Sequence, residues 1–213
     1  MTKLILVRHG ESEANIRQTF AGHLDMPLTE KGRAQAGLTA DYIQDNYAVD
    51  SVYASDLSRA YETGVEIAKR FSLPVQKSTL LREIYSGAWQ GKTFDCLQSD
   101  FADSYNTWLK DIGNARCPEG ETVAELSDRV WSVVSEIVRR EEGKTVVIAT
   151  HATPIRVLQA RITGYGLEHL KNVPWVSNAS LTEVVVNGDE WLLAKIGEDE
   201  YLSSLRTSFP ANV

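Results

Sequence analysis

The chain has 213 residues, 43% of them hydrophobic and 24% charged, with a formal net charge of −7. That length supports one α/β domain with a full core, and the acidic balance excludes both a nucleic-acid surface, which needs clustered Lys and Arg, and attraction to an anionic membrane. Positive charge for any anionic ligand must therefore be gathered locally. The two cysteines, Cys96 and Cys117, are too few for a disulfide framework and lack metal-type spacing, so they read as reduced thiols. The apolar run Leu4 to Val7 is too short for a signal peptide, and no stretch reaches the ~20 apolar residues of a membrane span. The expectation is a cytoplasmic protein.

Leu4 to Val7, ending before Arg8-His9-Gly10, reads as a buried parallel strand. A polar loop follows from Glu11 to Leu28. Thr29 is placed as the N-cap of a helix running to about Asn46. Ser51 to Ala54 forms a second strand, and residues 57–71 a helix with Ala60, Ile67, Ala68 and Phe71 on one face. Phe94, Leu97, Phe101, Tyr105 and Trp108 fall at helical spacing. Their aromatic face reads either as packing of a small cap, about residues 92–120, or as the lining of a substrate mouth. Val123, Leu126, Val130, Val134, Ile137 and Val138 repeat the helical pattern. Lys144 to Thr150 has a central-strand composition, and Thr153-Pro154 opens another helix with Pro at its first position. Leu181 to Val186 and Trp191 to Ile196 are strands joined at Asn187-Gly188-Asp189. This alternation predicts a single domain over residues 1–213, built on a mainly parallel sheet covered on both faces.

In such sheets ligands bind beyond the carboxyl ends of the strands. Four segments end in chemically loaded residues: Arg8-His9-Gly10-Glu11, Ser55 to Arg59, Leu81-Arg82-Glu83, and Thr150-His151-Ala152-Thr153. Converging on one cleft, they would supply two arginines, two histidines and a carboxylate. Arginine matches phosphate oxygens two at a time. Neutral histidine is a nucleophile near pH 7, a protonated second histidine adds charge, and a glutamate can give and then take a proton. Blander readings exist for each. His9 could be a buried structural histidine, and Arg8 and Arg59 surface ion-pair partners. His151 could cap a helix, and Glu83 could sit in a salt bridge while Asp56 or Glu11 handles protons. A metal held by His9, His151 and Glu83 is disfavoured because Arg8 and Arg59 would repel a dication. His23 and His169 have no such context and read as ordinary polar residues, and Arg139 to Glu142 as a solvated helix end.

Leu6 to Asn15 resembles the signature of the histidine phosphatase superfamily, also called the phosphoglycerate mutase-like family. The likeness continues in order through Gly22 to Gly32 with Gln35-Ala36, Ser55 to Ala60 with Thr63, Glu83 with Gly87, Trp89 and Gly91, Pro118 to Glu121, and His151 with Ile155-Arg156. It implies a three-layer α/β sandwich with a mixed, mostly parallel sheet flanked by helices and a small helical cap over the site. It also implies a metal-independent enzyme without a cofactor, in which His9 becomes phosphorylated. Arg8, Arg59 and His151 would hold the phosphoryl oxygens, Asn15 would add a hydrogen bond, Gly22 and Ala152 would contribute backbone contacts, and Glu83 would serve as proton donor and then base.

Family members either hydrolyse or shuttle phosphate. The mutases carry paired arginines in the cap, Lys at the position of Phe94, Tyr or Phe at that of Ser86, and often a hydroxyl at that of Ala21. This chain has no Arg-Arg or Arg-Lys pair between Gly91 and Arg116. The expected function is therefore a phosphatase acting on a small phosphorylated metabolite. The alternatives are a cofactor-dependent phosphoglycerate mutase or sugar bisphosphatase, and a non-catalytic module that binds phosphorylated ligands. A homodimer is compatible with the sequence, since an exposed apolar patch reads the same as core. Ala152 departs from the glycine common in the family, which matters only if the backbone there needs a positive φ.

Overall fold

Strand β1 (Thr2–Arg8) is buried along its length apart from the half-buried Lys3, so alternate side chains must meet a core on both faces. Leu4 and Leu6 pack with Tyr53, Val146, Ile148 and Val184. Ile5 and Val7 pack on the other side with Val52, Val147 and Leu181. Burying each such side chain contributes about 1.5–3 kcal/mol, which makes the centre of the sheet the natural place for this segment. The computed structural model, which describes residues 1–207, places it there. The other strands are β2 (Ser51–Ser55), β3 (Val75–Ser78), β4 (Thr145–Thr150), β5 (Leu181–Asn187) and β6 (Glu190–Glu198), in the sheet order β3-β2-β4-β1-β5-β6. β1 and β2 both run parallel to β4, and β3 runs parallel to β2. β5 and β6 form an antiparallel hairpin against β1.

One face is covered by α2 (Glu30–Asn46) and α3 (Ser58–Phe71), through Ala40, Ile43, Ile67 and Ala68. The other is covered by α6 (Val123–Arg140) and α7 (Ala152–Ile162), joined by α4 (Phe94–Asp100) and α5 (Ala102–Lys110). This is the three-layer α/β sandwich with a mixed, mostly parallel sheet. Local chemistry sets the helix starts. The Thr29 hydroxyl accepts from Gly32 N at 2.9 Å, and Thr122 and Glu125 form a reciprocal capping box. Among the described residues no helix is long and apolar enough to cross a membrane.

Several expectations change. The loop after β1 contains one helical turn, α1 (Glu13–Ile16), and β3 is an added edge strand with a largely polar sequence. The helical spacing over 94–109 is interrupted at Phe101, whose φ/ψ of −130°/33° separates α4 from α5. Leu97, Tyr105 and Trp108 still reach the same core, so the periodicity survives a one-residue break. α7 begins at Ala152, which moves Pro154 to the third helical position. The first-turn N–H groups have no partner within the helix, so a proline is tolerated there too. Glu141, expected in solvent, is buried and accepts from Tyr53 Oη at 2.7 Å and Lys144 Nζ at 2.9 Å.

Candidate active site

Strand register assembles the site. β1 and β4 pair Arg8 with Thr150, so His9 and His151 leave the sheet side by side, with ring centroids 5.2 Å apart at 65°. β2 flanks β4, which puts Ser55 Oγ 2.9 Å from His151 Nε2. Arg59 lies in the first turn of α3. Thr150 Oγ1 donates to Leu81 O at 2.7 Å, drawing in the segment that carries Glu83. That glutamate does not follow a strand directly. β3 stops at Ser78, a 3-10 turn occupies Thr79–Leu81, and Glu83 stands in the loop beyond.

His9 Nδ1 lies 2.7 Å from Gly10 O. A carbonyl only accepts, so Nδ1 carries the proton and Nε2 keeps its lone pair. Burial, and then the guanidinium groups of Arg59 and Arg8, hold this ring well below the ordinary histidine pKa. The result is an uncharged imidazole between cations. Its backbone is fixed as well: His9 O accepts from Ala179 N at 3.1 Å and Asn178 Nδ2 at 3.2 Å. Gly10 is required for space, because a Cβ there would strike Gly32 O.

Arg8 Nη1 donates to Val176 O at 2.6 Å. Arg59 Nη1 and Nη2 donate to Leu24 O and Gly22 O, both at 2.9 Å. Burial lowers each guanidinium to about 10, with the Glu83 carboxylate opposing the shift, so both stay charged at neutral pH. Gly22 adopts φ +52°, and a Cβ there would meet Ser86 Oγ. Asn15, which lines the cleft, accepts through Oδ1 from Ser12 N and Ser12 Oγ at 2.9 Å and from Asn178 Nδ2 at 3.2 Å.

His151 is fully buried, with its ring beside that of His9. It occupies the N-cap position of α7 without capping through its side chain, and its Nδ1 has no hydrogen-bond partner among the described residues. Burial first, then Arg59 and His9, hold its pKa well below the ordinary value, so this ring is neutral here rather than the protonated group expected. A nearby anion would favour its protonated form. Ala152 opens α7 with helical geometry and no positive φ, so the alanine introduces no strain.

The carboxylates sort by their partners. Glu83 Oε1 accepts from Ile84 N at 2.9 Å and Oε2 from Thr153 N at 3.4 Å. Asp56 is paired with Arg82, whose two hydrogen bonds hold its pKa below the usual range. Glu11 lines the cleft but is engaged by Thr29 Oγ1 at 2.9 Å and Lys31 Nζ at 3.5 Å.

Three residues near Glu83 were given no role by the sequence reading, although the family resemblance spans two of them, His23 and Glu121. His23 Nε2 lies 2.9 Å from Glu83 O, and Arg129 Nη2 donates to the same carbonyl at 3.2 Å. Arg129 is itself gripped by Glu121, at 2.8 Å to each carboxylate oxygen. His23 is thus part of the support of the site and not an ordinary polar residue. Its only signal was its place beside Gly22, because a ring that contacts a distant backbone carbonyl leaves no local pattern. Asn178 was missed for the same reason.

The cleft has a volume of about 190 Å³. Its polar wall includes Arg8, His9, Asn15, Gly22, Arg59, Glu83, Ala152 and Asn178, and its apolar wall Ala14, Ile16, Phe20, Phe94, Trp108 and Trp175. Of the expected aromatic face, Phe94 and Trp108 reach the cleft, whereas Tyr105 and Phe101 pack in and against the core. Among the described residues no group of three His, Cys, Asp or Glu side chains is arranged to hold a metal ion.

Residues 4–199 match the model of the histidine phosphatase superfamily (branch 1). Phosphoserine phosphatase 1 of Hydrogenobacter thermophilus is 34% identical over 167 residues, 78% of this chain and 79% of that one. Among solved structures, Bacillus stearothermophilus YhfR superposes with a TM-score of 0.90 at 30% identity, over 95% of this chain and 100% of that one. A mycobacterial glucosyl-3-phosphoglycerate phosphatase superposes with a TM-score of 0.85 at 28% identity, over 92% and 99%.

Proposed function

The chain belongs to the histidine phosphatase superfamily (branch 1), and from that premise we propose that it hydrolyses small phosphate monoesters through a phosphohistidine formed on His9. The observation that carries the proposal is the neutral His9 ring, its Nδ1 committed to Gly10 O and its Nε2 unprotonated, held beside two charged guanidinium groups. The Glu83 carboxylate takes up the proton that a phosphate monoester monoanion brings into the cleft; His9 Nε2 then attacks phosphorus, the ester P–O bond breaks, and Glu83 passes that proton to the leaving oxygen. Glu83, again a carboxylate, takes a proton from water as that water attacks phosphorus. The P–N bond then breaks, inorganic phosphate leaves with the proton that Glu83 returns to it, and both residues regain their starting states. Arg8, Arg59, the Asn15 amide and the Ala152 N–H bind phosphoryl oxygens, and the first-turn donors of α7 add partial positive charge. His151 Nδ1 supplies a further donor. The incoming phosphoryl charge favours its protonated form and offsets the burial that keeps it neutral beforehand. The phosphoryl group itself supplies the electrophile, and the protein's own cations supply the charge, so no step requires a metal.

Among the described residues the wall around Phe94 and Trp108 has no arginine pair with which to retain a second phosphate, and this supports hydrolysis over mutase chemistry. A non-catalytic binding module would not need a deprotonated Nε2 on His9. The test is turnover of phosphate esters in excess chelator, with acid-labile phosphohistidine trapped during the reaction. Wild-type turnover should survive chelation, and His9→Ala should lose both the label and at least ~10⁴-fold in kcat. Chelator-sensitive turnover, or His9→Ala activity near wild type, would refute the mechanism.

A further inference from the structure

We propose that Asn178 is a positioning residue of the phosphate site: its side-chain amide fixes which end of the Asn15 amide is left to meet the phosphoryl group. This rests on the phosphatase reading and deepens it. The two ends of a primary amide have nearly the same shape, and hydrogen bonding alone decides which end lies where. Asn15 lines the cleft, and its Oδ1 accepts from Ser12 N and Ser12 Oγ at 2.9 Å and from Asn178 Nδ2 at 3.2 Å. Ser12 N and Asn178 Nδ2 only donate. Turning the Asn15 amide over would set its own donors against both of them, and would offer an acceptor oxygen to an anion where a donor is needed. Ser12 is a close neighbour of Asn15 in the chain. Asn178 lies 163 residues away and ties the same oxygen to the rest of the fold.

Asn178 is itself held in the orientation this requires. Its Nδ2 also donates to His9 O at 3.2 Å. The two hydrogens of that nitrogen are thus divided between the backbone of the nucleophile and Asn15, and neither is left for a ligand, although Asn178 lines the cleft. At the other end Asn178 Oδ1 accepts from Thr207 Oγ1 at 3.1 Å, and the Asn178 N–H donates to the same hydroxyl oxygen at 3.2 Å. The backbone is pinned on both sides. Ser177 Oγ donates to Asp199 Oδ2 at 2.6 Å, and Ala179 O accepts from Tyr201 Oη at 2.7 Å and Thr39 Oγ1 at 2.9 Å. Asp199, Tyr201 and Thr207, all from the segment after β6, therefore hold Ser177, Ala179 and Asn178. Ala179 adopts φ +58°, a left-handed conformation that a residue with a Cβ keeps only where its surroundings over-determine it. In that conformation its N–H donates at 3.1 Å to His9 O, the carbonyl that Asn178 also grips.

The test is a double-mutant cycle of Asn15→Ala and Asn178→Ala, read in two ways. Calorimetry with inorganic phosphate in the His9→Ala background reads positioning without chemistry, and kcat/KM for p-nitrophenyl phosphate with His9 intact reads it during turnover. Asn178→Ala should weaken phosphate binding and lower kcat/KM about tenfold, and Asn15→Ala at least as much. The double variant should be no more than about threefold worse than Asn15→Ala, because Asn178 then has nothing to position and residue 9 O keeps the Ala179 donor. Thr207→Val removes the hydroxyl and preserves the shape. It should lose about threefold, and should lose nothing further once Asn15 is alanine. Where Asn178→Ala does not fold, the Thr207→Val cycle decides. Losses that multiply in the double variants would make Asn178 a direct phosphate ligand or a packing residue, and phosphate binding by Asn178→Ala equal to its parent would leave it no part in the site. Either result overturns the assignment. Failure of the wild type to turn over phosphate esters, or turnover by His9→Ala, would instead refute the mechanism and leave the calorimetric cycle to decide the role of Asn178.

Discussion

The two walls of the cleft are built by opposite means. On the polar wall nearly every functional group is fixed by a second contact: Arg8 by Val176 O, Arg59 by Gly22 O and Leu24 O, His9 by Gly10 O, and Asn15 by Ser12 and Asn178. Its cations are buried and committed before substrate arrives, so little reorganisation is needed when charge develops. The apolar wall consists of aromatic rings held largely by ring-to-ring contact. The first arrangement suits one reaction, and the second suits a class of shapes. The chemical step and the choice of ester should therefore be separable by mutation.

Glu83→Gln breaks the chemistry and leaves the apolar wall untouched. Esters of alkyl alcohols, whose leaving oxygen needs a proton, should lose about 10²–10⁴-fold in kcat/KM. p-Nitrophenyl phosphate, whose leaving group departs unprotonated, should lose less than about tenfold in kcat/KM. Its kcat should nevertheless fall, because the water that attacks phosphohistidine also needs the carboxylate, and stopped-flow traces should show a burst of nitrophenolate as the intermediate accumulates. Equal losses for both esters would remove Glu83 from proton transfer and return Asp56 or Glu11 to consideration.

His23 sharpens the comparison by asking how far the fixed wall extends. It lies on the same loop whose Gly22 and Leu24 carbonyls hold Arg59, and its ring meets the backbone of Glu83. One loop thus registers a phosphate-binding arginine against the proton donor. Removing a single hydrogen bond of this kind costs about 0.5–1.5 kcal/mol. His23→Ala should lower kcat/KM for alkyl esters roughly three- to tenfold, with p-nitrophenyl phosphate spared. His23→Gln, which can place an amide donor where Nε2 stood, should recover most of the loss. A uniform loss across both esters with no rescue would make His23 a packing residue only.

The asymmetry between the walls also explains what the sequence could show. Arg8, His9 and Gly10 follow directly from a strand, and His151 from another, so short motifs plus the parallel-sheet rule located them together. β1 announced itself through four consecutive apolar residues, whereas β3 reads Val-Gln-Lys-Ser and is a strand only because the edge of β2 offers it partners. Tertiary pairing overrode a weak local preference there. The apolar wall draws Ala14, Phe20, Phe94, Trp108 and Trp175 from four regions of the chain. Helical spacing showed that Phe94 and Trp108 share a side, but it could not show that Trp175 joins them or that Tyr105 turns inward. The support of Glu83 by His23, Arg129 and Glu121 was invisible because it is directed at a main-chain carbonyl, which any residue possesses.

The smallest effect tests whether the charge burden of the polar wall is felt in stability. His9 and His151 both have pKa values held well below the ordinary 6.5 by burial, with Arg59 the next contributor. In the unfolded chain each ring protonates near its ordinary value, so below about pH 6.5 the unfolded state binds protons that the folded state refuses. Stability should therefore fall as pH drops through 6.5 toward the folded pKa values, by up to about 1.4 kcal/mol per pH unit for each ring, and these two rings should contribute no slope above about pH 7.5. Carboxylates held low by their partners, such as Asp56 and Glu121, lose their contribution only at more acid pH, where they too begin to protonate. Urea unfolding of wild type, His9→Gln and Phe94→Ala between pH 7.5 and 5.5 separates the terms. His9→Gln should remove one ring's share of the slope. Phe94→Ala should shift stability by an amount that does not change with pH, since the side chain it removes carries no titrating group. Parallel pH profiles for wild type and His9→Gln would mean that the His9 ring takes up its proton in the folded protein as readily as in the unfolded chain, and the uncharged nucleophile would be lost with it.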